Sequence, residues 1–230
     1  MLVNDVDDDV RVSRARKIAR LAPGLNTQTQ GWLQELTLKI LDNLSRDELP
    51  RVRTIIAEEI RHLDSLPHEL VKRLANDAEL TVCAPILEYS PMLSDDDLLE
   101  IMTLELVQGA LTAISARENL APDPCDTISK SGDSDAIAQL LANSSAQVRE
   151  ETLDRIIDGA PEQPSWHDPL VNRDDLSHRA LKRIALFVTS SLLSVLEQRY
   201  DLESGTAIQI AEAVDERLSA DGLNETGLPA

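Results

Sequence analysis

Three consecutive stretches decide the fold: LPHELVKRLANDAELTVCAPILEYSPM (residues 66–92), LSDDDLLEIMTLELVQGALTAISAREN (93–119) and LAPDPCDTISKSGDSDAIAQLLANSS (120–145). Aligned on Leu66, Leu93 and Leu120, 27 residues apart, they share a set of apolar columns. Five positions on stand Val71, Leu98 and Cys125; eight on stand Leu74, Ile101 and Ile128. Twenty and twenty-one on come Ile86-Leu87, Ala113-Ile114 and Leu140-Leu141. The residue after each anchor (Pro67, Ser94, Ala121 before Pro122) suits a helix start. A period held in several columns at once predicts a repeat architecture.

A unit of this length holds two helices of two to three turns at about 1.5 Å per residue. The spacing gives each helix one buried stripe. Such a pair cannot bury its apolar face alone, so units must stack, which predicts an α-solenoid with polar caps at its ends. The pattern continues with slippage at Ala146 and Leu176. After Leu176 the columns hold Leu181 and Ile184, but after Ala146 they hold Glu151 and Asp154, so that unit is degenerate or shifted by a residue. A proline-rich interruption over 159–169, with Pro161, Pro164 and Pro169, accounts for the offset.

Working outward, 11–22, 30–44 and 51–63 read as helices of an N-terminal cap (11–65) behind an acidic, disordered 1–10. The repeat core covers 66–158. After the break at 159–169, a C-terminal repeat and long helices cover 170–221. The longest helical pattern is 177–200, and 205–220 supplies a final amphipathic helix; 222–230 reads as a flexible tail. Composition agrees with an all-α chain. Leucine occurs 36 times against five aromatic residues, and unbranched apolar side chains suit helices better than pleated sheets.

The run Leu70-Val71-Lys72-Arg73-Leu74-Ala75-Asn76-Asp77, then Val82 to Ser90 and Pro91 to Leu99, resembles a bacterial family of unknown function built from short HEAT-like repeats. So does His167 to Leu176 with the helix after it. The resemblance spans 66–200. More broadly the units are similar to HEAT and leucine-rich-variant repeats, whose members mostly bind other macromolecules. It implies a right-handed α-solenoid of about 27-residue helical pairs with helical caps, and assigns no activity to any residue.

Net charge is −19, unevenly spread. From Leu74 to Ala116 there are eight acids and no Lys or Arg, and from Leu74 to Val148 the net is −11. Arg11 to Arg73 is instead +4, with Arg14, Arg16, Lys17 and Arg20 on the first helix. An acidic core disfavours nucleic acid, which needs clustered Lys and Arg to displace counterions. It also disfavours a glycosylase-like or hydrolytic repeat enzyme, which for a flipped base would want a basic, aromatic groove. No stretch reaches the roughly 20 apolar residues of a membrane span. The aspartates of 1–10 do not form a signal peptide, and two cysteines make no disulfide framework, so the expectation is a cytoplasmic protein.

No catalytic constellation emerges. His62, His68, His167 and His178 fall in no zinc-binding frame, and there is no Walker loop or nucleophile elbow. Cys83 and Cys125 read as small core residues. The expectation is therefore a non-enzyme with no cofactor and no metal. Its partner would be a protein with a basic surface, or a second copy. The candidate contact residues are Asp95, Asp96, Asp97, Glu100, Arg117, Trp166 and Arg173. Asp95–Asp97 also have a local role beside a Ser94 cap, and Arg117 and Arg173 sit where an arginine meets helix-terminal carbonyls. Trp166 either plugs the irregular unit or anchors a partner. The alternative is a small-ligand or second-messenger sensor with a pocket near Arg117, Arg173 and Trp166.

Overall fold

The computed structural model describes residues 2–20, 31–189, 192, 193, 195 and 196. These residues form twelve α-helices and no strand: α1 (Leu2–Ala19), α2 (Gly31–Leu44), α3 (Pro50–Ile60), α4 (His68–Ala75), α5 (Leu80–Tyr89), α6 (Asp95–Met102), α7 (Ala110–Ser115), α8 (Pro122–Lys130), α9 (Ser134–Ala142), α10 (Glu150–Gly159), α11 (Pro164–Val171) and α12 (His178–Ala185). The protein is all-α. The predicted 205–220 helix and 222–230 tail lie outside the described residues.

Each apolar column becomes a wall of the core. The anchors Leu66, Leu93, Leu120, Ala146 and Leu176 are all buried, as are Val71, Leu98 and Cys125 and the Leu74, Ile101, Ile128 column. Ile86-Leu87, Ala113-Ile114 and Leu140-Leu141 close it from the other helix of each pair. Fully burying a Leu or Ile contributes about 1.5–3 kcal/mol. The residue after four anchors caps the next helix: Pro67, Ser94, Ala121 and Ser177 precede α4, α6, α8 and α12. After Ala146 the cap is Arg149, two positions later. The buried residues of α10 move with it, to Thr152, Leu153, Ile156 and Ile157, which is why Glu151 and Asp154 occupy the apolar columns. Gln147 N–H donates to the Leu120 carbonyl across this wider turn.

Helices two apart in the chain pack together. One row runs α1, α3, α5, α7, α9, α11; a second has α6 on α8, α8 on α10 and α10 on α12. Side chains tie the first row together at its helix ends. Arg117 donates to the Leu87 and Ser90 carbonyls (2.5 and 2.8 Å), Asn143 to those of Ser115 and Arg117 (2.9 and 2.6 Å), and Arg173 to those of Leu140 and Leu141 (3.4 and 3.2 Å). The last carbonyls of α5, α7 and α9, which a helix leaves unpaired, thus each receive a donor from the next pair.

Three sequence expectations are corrected. Leu2–Val10 is helical and continuous with the rest of α1 rather than disordered, propagated from the turns whose Val12, Ala15 and Ala19 are buried in the core. The 159–169 segment is not a break but a 3-10 turn (Ala160–Glu162) followed by α11, whose Pro164 sits in the first turn where a missing N–H costs nothing. The helix expected over 177–200 is interrupted: His178–Ala185 is one helix, turn residues Leu186–Val188 follow and place the Phe187 ring 5.0 Å from that of His167, Leu192, Leu193, Val195 and Leu196 are again helical, and the remaining positions to 200 after Thr189 lie outside the described residues.

Candidate interaction surface

Exposed acids recur where first-row helices end and second-row helices begin. The second residue of α4, α6, α8 and α10 is in each case an exposed acid: Glu69, Asp96, Asp123 and Glu151, at intervals of 27, 27 and 28 residues. Asp95 and Glu150 stand beside this row and are also exposed. A carboxylate at N2 favours its own helix by about 0.3–1 kcal/mol through the macrodipole, so local folding and surface charge ask for the same residue type. The row ends at α12, where the second residue is Arg179.

Of the sequence-derived candidates, Asp95 and Asp96 are exposed. Asp97 is drawn into the fold. It closes a capping box on Ser94, accepting from the Ser94 backbone N–H (2.9 Å) and hydroxyl (2.6 Å), while the Asp97 N–H donates to Ser94 Oγ. His68 Nε2 lies 3.0 Å from its other oxygen and Lys72 Nζ 3.5 Å. Burial works against its ionisation, but the Ser94 and His68 hydrogen bonds outweigh that and hold its pKa at about 2. Glu100 is exposed yet paired to Lys72 at 2.6 Å, and that hydrogen bond raises the lysine pKa. Arg149 spans Asp123 (2.6 Å) and Asp126, and Arg183 joins Asp154 and Asp158, so the second row is laced by ion pairs on its face.

Arg117, Arg173 and Trp166 serve the interior. Burial lowers the Arg117 pKa from its ordinary value, Asp95 opposing. Arg173 is 3% exposed and also grips Asp175 through two nitrogens (2.7 and 2.6 Å). Trp166 is buried, its indole N–H bonded at 3.1 Å to the Ser134 carbonyl and its ring against Gly159. Arg173 meets the C-terminal end of α9 and Trp166 its N-terminal end, so the two share no pocket wall. The described residues line clefts. One of ≈ 410 Å³ between α10 and α12 is lined by Glu150, Leu153, Asp154, Asp174, Asp175 and Ser177 among others. One of ≈ 190 Å³ touches Asp77, Cys83, Leu104 and Val107. None of the three residues lines either.

The thiols and imidazoles are engaged structurally. Burial pushes the Cys83 thiol to about 11 and that of Cys125 to about 12. His167 Nε2 lies 2.8 Å from the Ala160 carbonyl, and the His62 ring lies tilted against that of Tyr89, centroids 5.2 Å apart. Among the described residues no group of three or more His, Cys, Asp or Glu could hold a metal ion, and no helix is long and apolar enough to cross a membrane.

Sequence reasoning missed Glu69, Asp123 and Glu151. The signal was available: the first two lie at the same 27-residue interval as the apolar anchors, but a periodic search among apolar columns passes over a charged one.

Residues 82–227, from the third residue of α5 onward, match the model of a family described as an uncharacterised protein conserved in bacteria (DUF2336). The chain belongs to this family. The DUF2336 match takes in Asp96, Asp123 and Glu151 of the acidic row, the Arg117 and Arg173 ties and the α10–α12 cleft; α1 to α4 precede it. No curated protein and no solved structure matches the chain.

Proposed function

We propose that this DUF2336 protein is a cytoplasmic, non-catalytic interaction scaffold: a right-handed α-solenoid of HEAT-like pairs whose acidic edge receives a basic surface of a protein partner. The observation that carries the reading is the row Glu69, Asp96, Asp123, Glu151, one exposed carboxylate per pair on one edge. Helices packed side by side sit about 8–10 Å apart, so the row sets carboxylates at a regular pitch along the edge. Complementary charge of this kind steers encounter and selects partners more than it adds affinity. The acids that fold the chain (Asp97, Asp154, Asp175) are paired within it, leaving Asp95, Asp96, Glu150 and Glu151 for a partner. Nucleic acid is repelled by the same edge.

The test is affinity capture from the native cell with wild-type protein and with the Asp95→Lys/Asp96→Lys variant, both checked for unchanged helicity. The reading expects a basic protein that wild type retains, that the variant loses, and that salt releases. An identical set of proteins on both baits contradicts it.

A further inference from the structure

One groove of the second row already binds an arginine. Between α8 and α10, Arg149, which caps α10, reaches back across the groove. Its guanidinium joins Asp123, at 2.6 Å, and Asp126, the second and fifth residues of α8. Thr152, third in α10, donates to the other oxygen of Asp126. Both oxygens of that carboxylate are thereby taken.

The next groove, between α10 and α12, keeps the acids and lacks the arginine. Glu151 and Asp154 are again second and fifth in their helix, but the cap of α12 is Ser177 and its third residue is Ala180. These two small residues stand where the preceding pair has Arg149 and Thr152, and both line the cleft of ≈ 410 Å³. That volume lies within the range of about 300–1,000 Å³ usual for ligand sites. Leu153 and Leu176 give the cleft an apolar wall, Glu150, Asp154, Asp174 and Asp175 give it carboxylates, and no Lys or Arg lines it. Asp175 is held by Arg173, and one oxygen of Asp154 by Arg183. The other Asp154 oxygen has, among the described residues, only Arg179 at 3.9 Å, beyond hydrogen-bonding reach. Glu150 is exposed and takes no ion pair among the described residues.

An arginine side chain matches this lining. Its planar fork can bridge two carboxylates while its methylenes lie along the leucines. A lysine ammonium is a point charge without that fork.

We propose that the α10–α12 cleft seats one arginine side chain of the basic protein partner, held by Glu150 and Asp154 much as Arg149 is held by Asp123 and Asp126. This site rests on the acidic edge being the docking surface for that partner, and it lies at the end of the row, where Glu150 adjoins Glu151.

Amide NMR titration of the full chain with the peptide Ac-Gly-Arg-Gly-NH2 tests it, beside Ac-Gly-Lys-Gly-NH2 and free L-arginine. The arginine peptide is expected to shift the amides of Leu153, Ser177 and Ala180 saturably, and the lysine peptide to bind about tenfold more weakly. Free L-arginine, whose own carboxylate meets an acidic rim, is also expected to bind more weakly than the peptide. Ser177→Arg, which gives the cleft a guanidinium from its own chain, and Glu150→Gln should each weaken the arginine peptide about tenfold with unchanged helicity by circular dichroism. Asp95→Lys/Asp96→Lys should leave the cleft shifts as they are. Absent or non-saturating cleft shifts, equal binding of the lysine peptide, tighter binding of free L-arginine, or undiminished binding by Glu150→Gln or a folded Ser177→Arg would each overturn the site. The two readings fail separately: absent cleft shifts overturn the anchor while a captured partner still depends on Asp95 and Asp96, and identical capture on both baits overturns the edge.

Discussion

Replacing Asp97 by Asn keeps the side chain's shape and removes its charge. In the folded chain this carboxylate titrates at about 2, against 3.8 for an unperturbed aspartate. A folded pKa below the unfolded one means that the charged form stabilises the fold. That contribution is fully present above about pH 5 and is lost as the pH falls through 3.8 toward 2. The shift corresponds to about 2 kcal/mol, carried by a side chain only 11% exposed and hydrogen-bonded to Ser94 and His68. Urea unfolding of wild type and Asp97→Asn between pH 3 and pH 7, followed by circular dichroism, measures it, with equal slopes required because helical arrays can lose two-state behaviour. The gap between the two proteins should be about 2 kcal/mol at pH 7 and should narrow progressively below pH 4. A gap that is absent at neutral pH, or that stays constant down to pH 3, refutes the account of the capping box.

Other outcomes follow from burial and backbone. Arg173→Met strips the donor from the Leu140 and Leu141 carbonyls and should lower stability by about 2–4 kcal/mol in urea titration, and Lys should recover little because it lacks the planar fork. Ile128→Ala, in the fully buried column eight positions after the anchors, should cost about 2–5 kcal/mol by the same assay. Gly109 has φ +90 with Leu80 Cδ2 only 2.9 Å from where a Cβ would stand, whereas Gly132 (φ +76) faces open space. Alanine at 109 should therefore lower the thermal midpoint more than alanine at 132, which carries only the backbone cost of about 1 kcal/mol. With thiols pushed to about 11 and 12, Cys83 and Cys125 should stay unreactive to a colorimetric thiol reagent at pH 8 until denaturant is added.

The sequence made the all-helical class and the core readable because apolar burial repeats with the helix period: every residue of the five columns shared by the three aligned stretches is buried. The Ser94 cap was legible because cap chemistry is local, and the carbonyl-seeking roles of Arg117 and Arg173 because both stand three residues before an anchor leucine, although the carbonyls they meet belong to the preceding pair. What failed was register and punctuation. The two-residue shift of α10 goes with a wider turn spanned by the Gln147–Leu120 hydrogen bond between units, which periodicity does not reveal. Pro164 and Pro169 were weighed as breakers although α11 holds both. The interruption after Ala185 has no glycine or proline to mark it. For the surface, a run of three aspartates drew attention to Asp97, which the fold consumes, and away from the single acids at 69, 123 and 151, which complete the row.

Spin labels on cysteines placed at Asp96, Asp123 and Glu151, with the buried Cys83 and Cys125 left unlabelled, test the central claim most directly. Continuous-wave dipolar broadening should give about 10 Å for each adjacent pair and pulsed electron paramagnetic resonance about 20 Å for the 96–151 pair, as expected for helices packed side by side at about 8–10 Å. A 96–151 separation no longer than the adjacent ones would contradict a row of carboxylates presented along one edge of stacked helical pairs.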